Sequence, residues 1–136
     1  MWPGLPGDAG ASTLNCAIEL LDRHVMAGRG ERIALRSDEG EISYRQLAVW
    51  TDRIAAVLRD ALGLVPGNRV LLRGFNHPAM VACWLGVQKA GGVAVTSMPL
   101  LRAQELRQML DKARIRFALC DARLLDELEQ ACRSAM

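Results

Sequence analysis

Apolar residues recur along this chain with two periods, and the alternation between them predicts an ordered series of elements. Ala17, Ile18, Leu21 and Val25 stand at three- and four-residue steps behind Asn15, so a helix is expected over residues 16 to 27 with Asn15 as its N-cap. Gly28 and Gly30 should end it. Arg32 to Arg36 alternates as a strand, Ser37-Asp38-Glu39-Gly40 reads as a turn, and Glu41 to Ser43 returns as a second strand. Ser43-x-x-Gln46 is a capping box, and the helix it opens carries Tyr44, Leu47, Ala48, Thr51, Ile54, Ala55, Leu58 and Leu62 on one face. Gly63, Pro66 and Gly67 mark its end.

Downstream the two periods take turns. Strands are predicted at Arg69 to Gly74, Val93 to Ser97 and Arg116 to Cys120. Helices are predicted at Pro78 to Ala90, capped by Asn76, then at Ala103 to Ala113 and Ala122 to Arg133. Strands joined through single helices run parallel when adjacent. The expected fold class is therefore α/β: a doubly wound, mostly parallel sheet flanked by helices, with a small N-terminal β-hairpin. In such sheets ligands sit beyond the carboxyl ends of the strands. Those ends are Gly74 to His77, Thr96 to Pro99 and Cys120 to Ala122. Residues 1 to 13, with two prolines and three glycines, lack the apolar surface to offset chain entropy and are expected to form a tail, leaving 14 to 136 as the folded unit.

Composition changes this picture little. With 136 residues, 51% hydrophobic and 24% charged, the chain matches one ordinary globular unit. A net charge of +2, without basic residues interleaved with aromatic ones, argues against nucleic acid. No apolar run approaches the roughly 18 residues of a membrane span, and the opening MWPGLPGD has neither part of a secretory signal. A cytoplasmic location is expected. Cys16, Cys83, Cys120 and Cys132 form no C-x-x-C pair and stand among apolar residues, so they read as small core residues rather than metal or redox ligands.

Candidate chemistry is sparse. A phosphate-binding turn would place glycines between a strand and a helix, where main-chain amides can approach the anion. Gly28-x-Gly30 instead follows a helix and precedes a strand, and no G-x-x-x-x-G-K-[ST] run occurs. His77 has no carboxylate near it in sequence. Lys89 suits the negative end of its helix as a surface charge, and Gly91-Gly92 suit a helix end that turns directly into a strand. Arg102 is the exception. It occupies an N-cap position, where its charge opposes the helix dipole and its side chain accepts nothing. Two readings stay open: an anion such as a phosphate bound at the helix start, or a solvated arginine paired with Glu105.

Several segments resemble the N-terminal part of AMP-forming acyl-CoA ligases. Residues 15 to 24, NCAIELLDRH, look like the opening helix of aromatic acid-CoA ligases, and Ile42-Ser43-Tyr44-Arg45-Gln46-Leu47 like that family's strand-to-helix step. Gly63-Leu64-Val65-Pro66-Gly67-Asn68-Arg69-Val70 resembles its G-x-x-P-G-D-R-V pattern, with Asn68 in place of Asp. Lys89-Ala90-Gly91-Gly92-Val93 is similar to its K-A-G-A-V segment. The run TSMPLLRAQEL at 96 to 106, followed by Ala118-Leu119-Cys120-Asp121-Ala122, is most similar to benzoate- and especially 2-aminobenzoate-CoA ligases.

The resemblance implies a parent that uses ATP, Mg²⁺ and coenzyme A to convert an aromatic acid through an acyl-adenylate into its thioester. It also implies that the family's phosphate loop, ribose-binding acid and adenylation lysine lie downstream of every position matched here. The chain is accordingly expected to be an N-terminal subdomain that binds none of these groups alone, is inactive alone, and partners the remainder of its parent. An exposed former contact surface would favour self-association. Arg102 is the one site residue the resemblance offers, as a contact to a coenzyme A phosphate. The family's usual basic residue directly follows the proline, where this chain has Leu100. The alternatives are a free-standing, non-catalytic α/β interaction or small-ligand module, and a thiol-dependent redox protein with a cysteine of low pKa.

Overall fold

The computed structural model describes residues 14–133, and the tail expected over residues 1 to 13 lies outside them. A helical segment over residues 16–29 comes first. Asn15 caps it, its Oδ1 accepting from the Ala17 amide at 3.0 Å while its Nδ2 donates to the Gln88 carbonyl at 3.0 Å. Wide π-type turns at Ile18–Asp22 and Val25–Arg29 rotate the predicted apolar stripe. Ala17 and Leu21 are fully buried as a result, whereas Ile18 is 44% exposed. Gly28, at φ 75°, takes the left-handed conformation that ends the segment.

The hairpin forms as expected from β1 (Ile33–Ser37) and β2 (Gly40–Ser43), antiparallel with Ser37 opposite Gly40. Helix α1 (Tyr44–Ala56) opens on the complete capping box: Ser43 Oγ accepts from Gln46 N at 3.2 Å, and Gln46 Oε1 accepts from Ser43 N at 2.9 Å. It runs on through a π-type turn at Val57–Ala61. Leu58 is buried there, but Leu62, expected on the same face, is half exposed because the wider turn carries it past the core.

Three parallel strands follow: β3 (Arg69–Arg73), β4 (Val93–Ser97) and β5 (Phe117–Cys120), in the spatial order β4-β3-β5. Between them come α2 (Pro78–Lys89) and α3 (Ala103–Ala113), and after β5 a tight turn at Ala122–Leu124 leads into α4 (Leu125–Arg133). The first strand made is thus the central one. Val70, Leu71 and Leu72 of β3 are all fully buried, which is what a strand covered on both faces requires. Val70 and Leu72 face α1 and α2, packing with Ala55, Leu58, Val87 and Ala90. Leu71 and Arg73 alternate to the other face, where α3 and α4 lie. Each fully buried aliphatic side chain contributes on the order of 1.5–3 kcal/mol.

A second cluster joins Ala17 and Leu21 to Leu47 and Ala48 of α1 and to Ala82 and Leu85 of α2. Helix α2 therefore lies between α1, the first helical segment and the sheet, and carries apolar residues on nearly every side. Its crossing with α1 is tight at Gly86. A Cβ there would stand 2.6 Å from Ile54 Cγ2 and 3.3 Å from the Thr51 carbonyl oxygen.

Lys89 departs from its expected role as a surface charge. Its ammonium meets Asp22 at 2.7 Å and Asp52 at 2.5 Å, tying α2 to the first helical segment and to α1. Burial disfavours the charge, but the two carboxylates outweigh it and hold the lysine pKa above its ordinary value. At the end of α2, Gly91 adopts φ 82°, and a Cβ on Gly92 would stand 3.0 Å from Val87 Cγ1 and 3.3 Å from the Asn68 carbonyl oxygen, a tight fit. Asn68 closes the turn before β3, its Oδ1 accepting from Val65 N at 3.1 Å.

Candidate functional site at the carboxyl edge of the sheet

Parallel registry aligns Arg73 with Ser97 on one side and Cys120 on the other, so the three strand ends lie level. A cavity of about 610 Å³ opens at this edge, between the segment after β3, the start of α2 and the end of β5. Met80, Cys83 and Leu119 supply its apolar wall, and His77, Asp121 and Arg123 its polar rim. The backbone at Gly74 passes so close to Met80 that a Cβ would come within 2.5 Å of its terminal methyl.

His77, rather than Asn76, caps α2. Its Nδ1 accepts from Ala79 N at 3.1 Å, one residue later than the sequence suggests, because Pro78 takes the first helical position. An Nδ1 that accepts leaves the ring proton on Nε2, which faces the Glu39 carboxylate at 3.1 Å. The carboxylate absent from His77's sequence neighbourhood is brought by the hairpin turn.

Asp121 accepts from the Arg123 amide at 3.0 Å and pairs with its guanidinium at 2.7 Å, while that guanidinium stacks 4.6 Å above the Phe75 ring. The Arg123 side chain, then its amide, hold the Asp121 pKa down at about 2. Because the folded value lies below the unfolded one of about 3.9, the pair's stabilisation is present above that pH and is lost as pH falls towards about 2. In Arg123→Met the capping amide remains, so an NMR titration of the Asp121 carboxyl should show the pKa rising while staying below about 3.9. An unchanged titration would count against the ion pair as the main cause.

The start of α3 answers the mismatch at Arg102. Its guanidinium is exposed and pairs with Glu127 of α4 at 2.8 Å, not with Glu105. Glu105 instead accepts from Arg102 N at 2.9 Å, and the second oxygen of Glu127 accepts from Ala103 N at 2.8 Å. Two carboxylates thus take the Arg102 and Ala103 amides at the helix start where a phosphate would bind. These contacts hold the Glu127 pKa down, the Arg102 hydrogen bond first and the Ala103 amide second. A cavity of about 340 Å³ beside them is lined by Arg73, Arg102 and Arg123 together with Asp126 and Glu127.

Arg73 escaped the sequence reading. It is 1% exposed, and its guanidinium donates to the carbonyls of Met98 (3.0 Å), Pro99 (3.1 Å), Leu101 (2.8 Å) and Leu124 (3.4 Å). The available signal was a cation closing the apolar run Val70-Leu71-Leu72. The cysteines are free; Cys83 and Cys120 are half-buried, and burial raises both thiol pKa values, opposite to what an activated thiol needs. Cys132 is exposed, contrary to its expected core role, because it lines an open groove with Ala118, Cys120, Leu125 and Leu128. Among the described residues no group of three or more His, Cys, Asp or Glu side chains is placed to hold a metal ion, and no helix is long and apolar enough to cross a membrane.

Residues 21–135 match the model of the AMP-binding enzyme family, and the chain belongs to that family. A benzoate-CoA ligase of Thauera aromatica is 34% identical over 114 residues, covering 82% of this chain and 21% of that protein. A 2-succinylbenzoate-CoA ligase of Escherichia coli K12 is 32% identical over 97 residues, 71% of this chain and 21% of its own length. Among solved structures, a benzoate CoA ligase from Burkholderia xenovorans LB400 superimposes with a TM-score of 0.83 at 29% identity, over 90% of this chain and 24% of that one. The anthranilate CoA ligase AuaEII, solved with anthranoyl-AMP, gives a TM-score of 0.80 at 25% identity, over 86% and 22%. The chain spans about a fifth of the length of these relatives. The fold expected from the sequence, a parallel α/β layer with a hairpin, is that of the N-terminal part of these enzymes.

Proposed function

We propose that this chain is the N-terminal part of an ATP-dependent, AMP-forming aromatic acid-CoA ligase, with benzoate or 2-aminobenzoate as the acid. The observation that carries the reading is the unbroken order of matched segments from residue 21 to residue 135, set on a fold shared with two aromatic acid-CoA ligases. The parent converts acid, ATP and coenzyme A into acyl-CoA, AMP and pyrophosphate. Nothing among the described residues fits the phosphates of ATP or a Mg²⁺ ion: the strand-to-helix turns lack a glycine-rich loop, and no acidic cluster is assembled. The remainder of the parent supplies those groups, and the 136 residues by themselves are inactive.

Arg102 as a coenzyme A contact belongs to this proposal. The Arg102–Glu127 pair occupies the α3 N-terminus, so a phosphate would have to displace Glu127. The test uses the parent enzyme with a panel of aromatic acids. Wild type is expected to form the benzoyl or 2-aminobenzoyl thioester, and Arg102→Ala to raise the KM for coenzyme A far more than that for the acid. Equal effects on the two constants would remove Arg102 from the site. Pyrophosphate exchange by the 136-residue chain alone would overturn the fragment reading. A free-standing module is the outcome if the coding sequence ends at Met136. Exposed Met98, Leu100 and Leu125 support a contact surface for the rest of the parent, or for a second copy when that is missing.

A further inference from the structure

An arginine at the end of a central strand is an expensive choice. Moving a guanidinium from water into the protein interior costs several kcal/mol even after relaxation, and an apolar residue would complete β3 without that cost. The partners of Arg73 make the choice informative, because they are main-chain carbonyls and not a carboxylate. Its fork spends four of five N–H donors on backbone oxygens from two separate segments. Three belong to the loop Met98, Pro99 and Leu101, between β4 and α3, and one to Leu124, at the entry to α4.

Those two segments present Arg102, Arg123 and the two acids, Asp126 and Glu127, of the smaller cavity. Arg102 directly follows the loop, whereas Arg123 and Glu127 flank Leu124. The loop has little else to hold it. Leu101 N donates to Met98 O at 3.2 Å, closing one turn, while the Met98 and Leu100 side chains are exposed at 62% and 80%. Arg73 is therefore the internal fastening of a loop whose outer side packs on little. It also ties the two carrier segments to each other from inside, beneath the direct contacts of Glu127 with Arg102 and the Ala103 amide. A side chain that specifies geometry at a cost in burial is a recognised use of interior polar groups.

We propose that Arg73 is a positioning residue for the thioester-forming half of the reaction: it locks the Met98–Leu101 loop to the start of α4, so that Arg102 and Arg123 are already in place at the cavity when coenzyme A arrives and displaces Glu127. The inference rests on the ligase reading above. It assigns Arg73 no contact with substrate, and it predicts a split between the two half-reactions.

The test measures Arg73→Met and Arg73→Gln in the full-length parent. Loss of loop registry should raise the KM for coenzyme A by about tenfold to a hundredfold, the scale of a misplacement near 1 Å, while acid-dependent ATP–pyrophosphate exchange stays within about twofold of wild type. Arg73→Gln removes the buried charge and keeps two donors, so it carries the measurement if the Met variant does not accumulate as folded protein. A coenzyme A KM within about twofold of wild type in the folded variants, or an equal loss in both half-reactions, overturns the proposal. Hydrogen exchange in the same proteins separates it from the ligase reading. If wild type makes no thioester from any aromatic acid, the ligase reading fails. Arg73's role as a fastener then stands if amide exchange rises together in residues 98–102 and 122–125 of the variants, and falls if exchange there is unchanged.

Discussion

Gly86→Leu should cost at least about 3 kcal/mol, the upper end of what overpacking a well-filled core does. The missing side chain at this position is what lets α1 and α2 approach each other. Even Ala would set its Cβ 2.6 Å from Ile54 Cγ2 and 2.9 Å from Ile54 Cβ, distances at which the two helices must move apart. Against this, replacing a mid-helix glycine recovers about 1 kcal/mol of helix propensity. Gly86→Ala therefore balances a gain of about 1 kcal/mol against overpacking of about 1–3 kcal/mol, and should be mildly destabilising. Leu adds three carbons to the same clash and has no such balance. Urea unfolding of the two variants and wild type provides the measurement, with the midpoint falling in the order wild type, Ala, Leu. A Leu variant as stable as wild type would show that α1 can slide and that Gly86 is incidental. Because Gly86 touches Ile54 and the Thr51 carbonyl, which flank the α1 residues packed on β3, the damage should spread into the main cluster.

Arg73→Met should destabilise by about 2–4 kcal/mol, and the estimate is a difference of two larger quantities. Four charge-assisted hydrogen bonds, at about 1.5–3 kcal/mol each, are lost. The substitution relieves the cost of burying the guanidinium, several kcal/mol in its own right. Some of the abandoned carbonyls reach water because the Met98–Leu101 loop lies at the surface, which brings the net loss to the lower part of its range. Thermal and urea unfolding should agree on the sign. A Met variant more stable than wild type would show that the desolvation cost exceeds the four bonds, and that the arginine is kept at a net cost in stability. That result would leave the positioning role intact, since stability and loop registry are measured separately.

The elements were legible where one local cause sufficed. The Ser43–Gln46 capping box, the Gly91 turn and the apolar alternation of Val93 to Ser97 each state their structure within a few residues, and β4 and α3 fall where they were predicted. What failed to show was whatever depends on a partner far along the chain. Glu39 reaches His77 through the hairpin turn, Glu127 reaches Arg102 from the opposite helix, and Asp22 reaches Lys89 from 67 residues earlier in the chain. Each pair looks like a solitary charge in sequence. Gly86 was invisible for the same reason, since nothing in Leu85-Gly86-Val87 says that Ile54 stands opposite. The N-cap shift from Asn76 to His77 is a smaller lesson: the Pro at position 78 fixes the first helical residue, and hence the cap, more firmly than residue preference does. The site was legible as a place, the carboxyl edge of the sheet, but not as a set of contacts.

The spatial order β4-β3-β5 also sets a timetable. During synthesis β3 leaves the ribosome before either of its neighbours exists, so Val70, Leu71 and Leu72 first meet water with both hydrogen-bonding edges open. Helix α1 is already complete by then and α2 follows before β4, offering one apolar surface for Val70 and Leu72 to rest on. The other face waits longest, because Leu71 stays uncovered until α3 and α4 have been made. A nascent chain paused between α2 and α3 would thus present a half-clothed strand, and that interval is where a chaperone has most to hold.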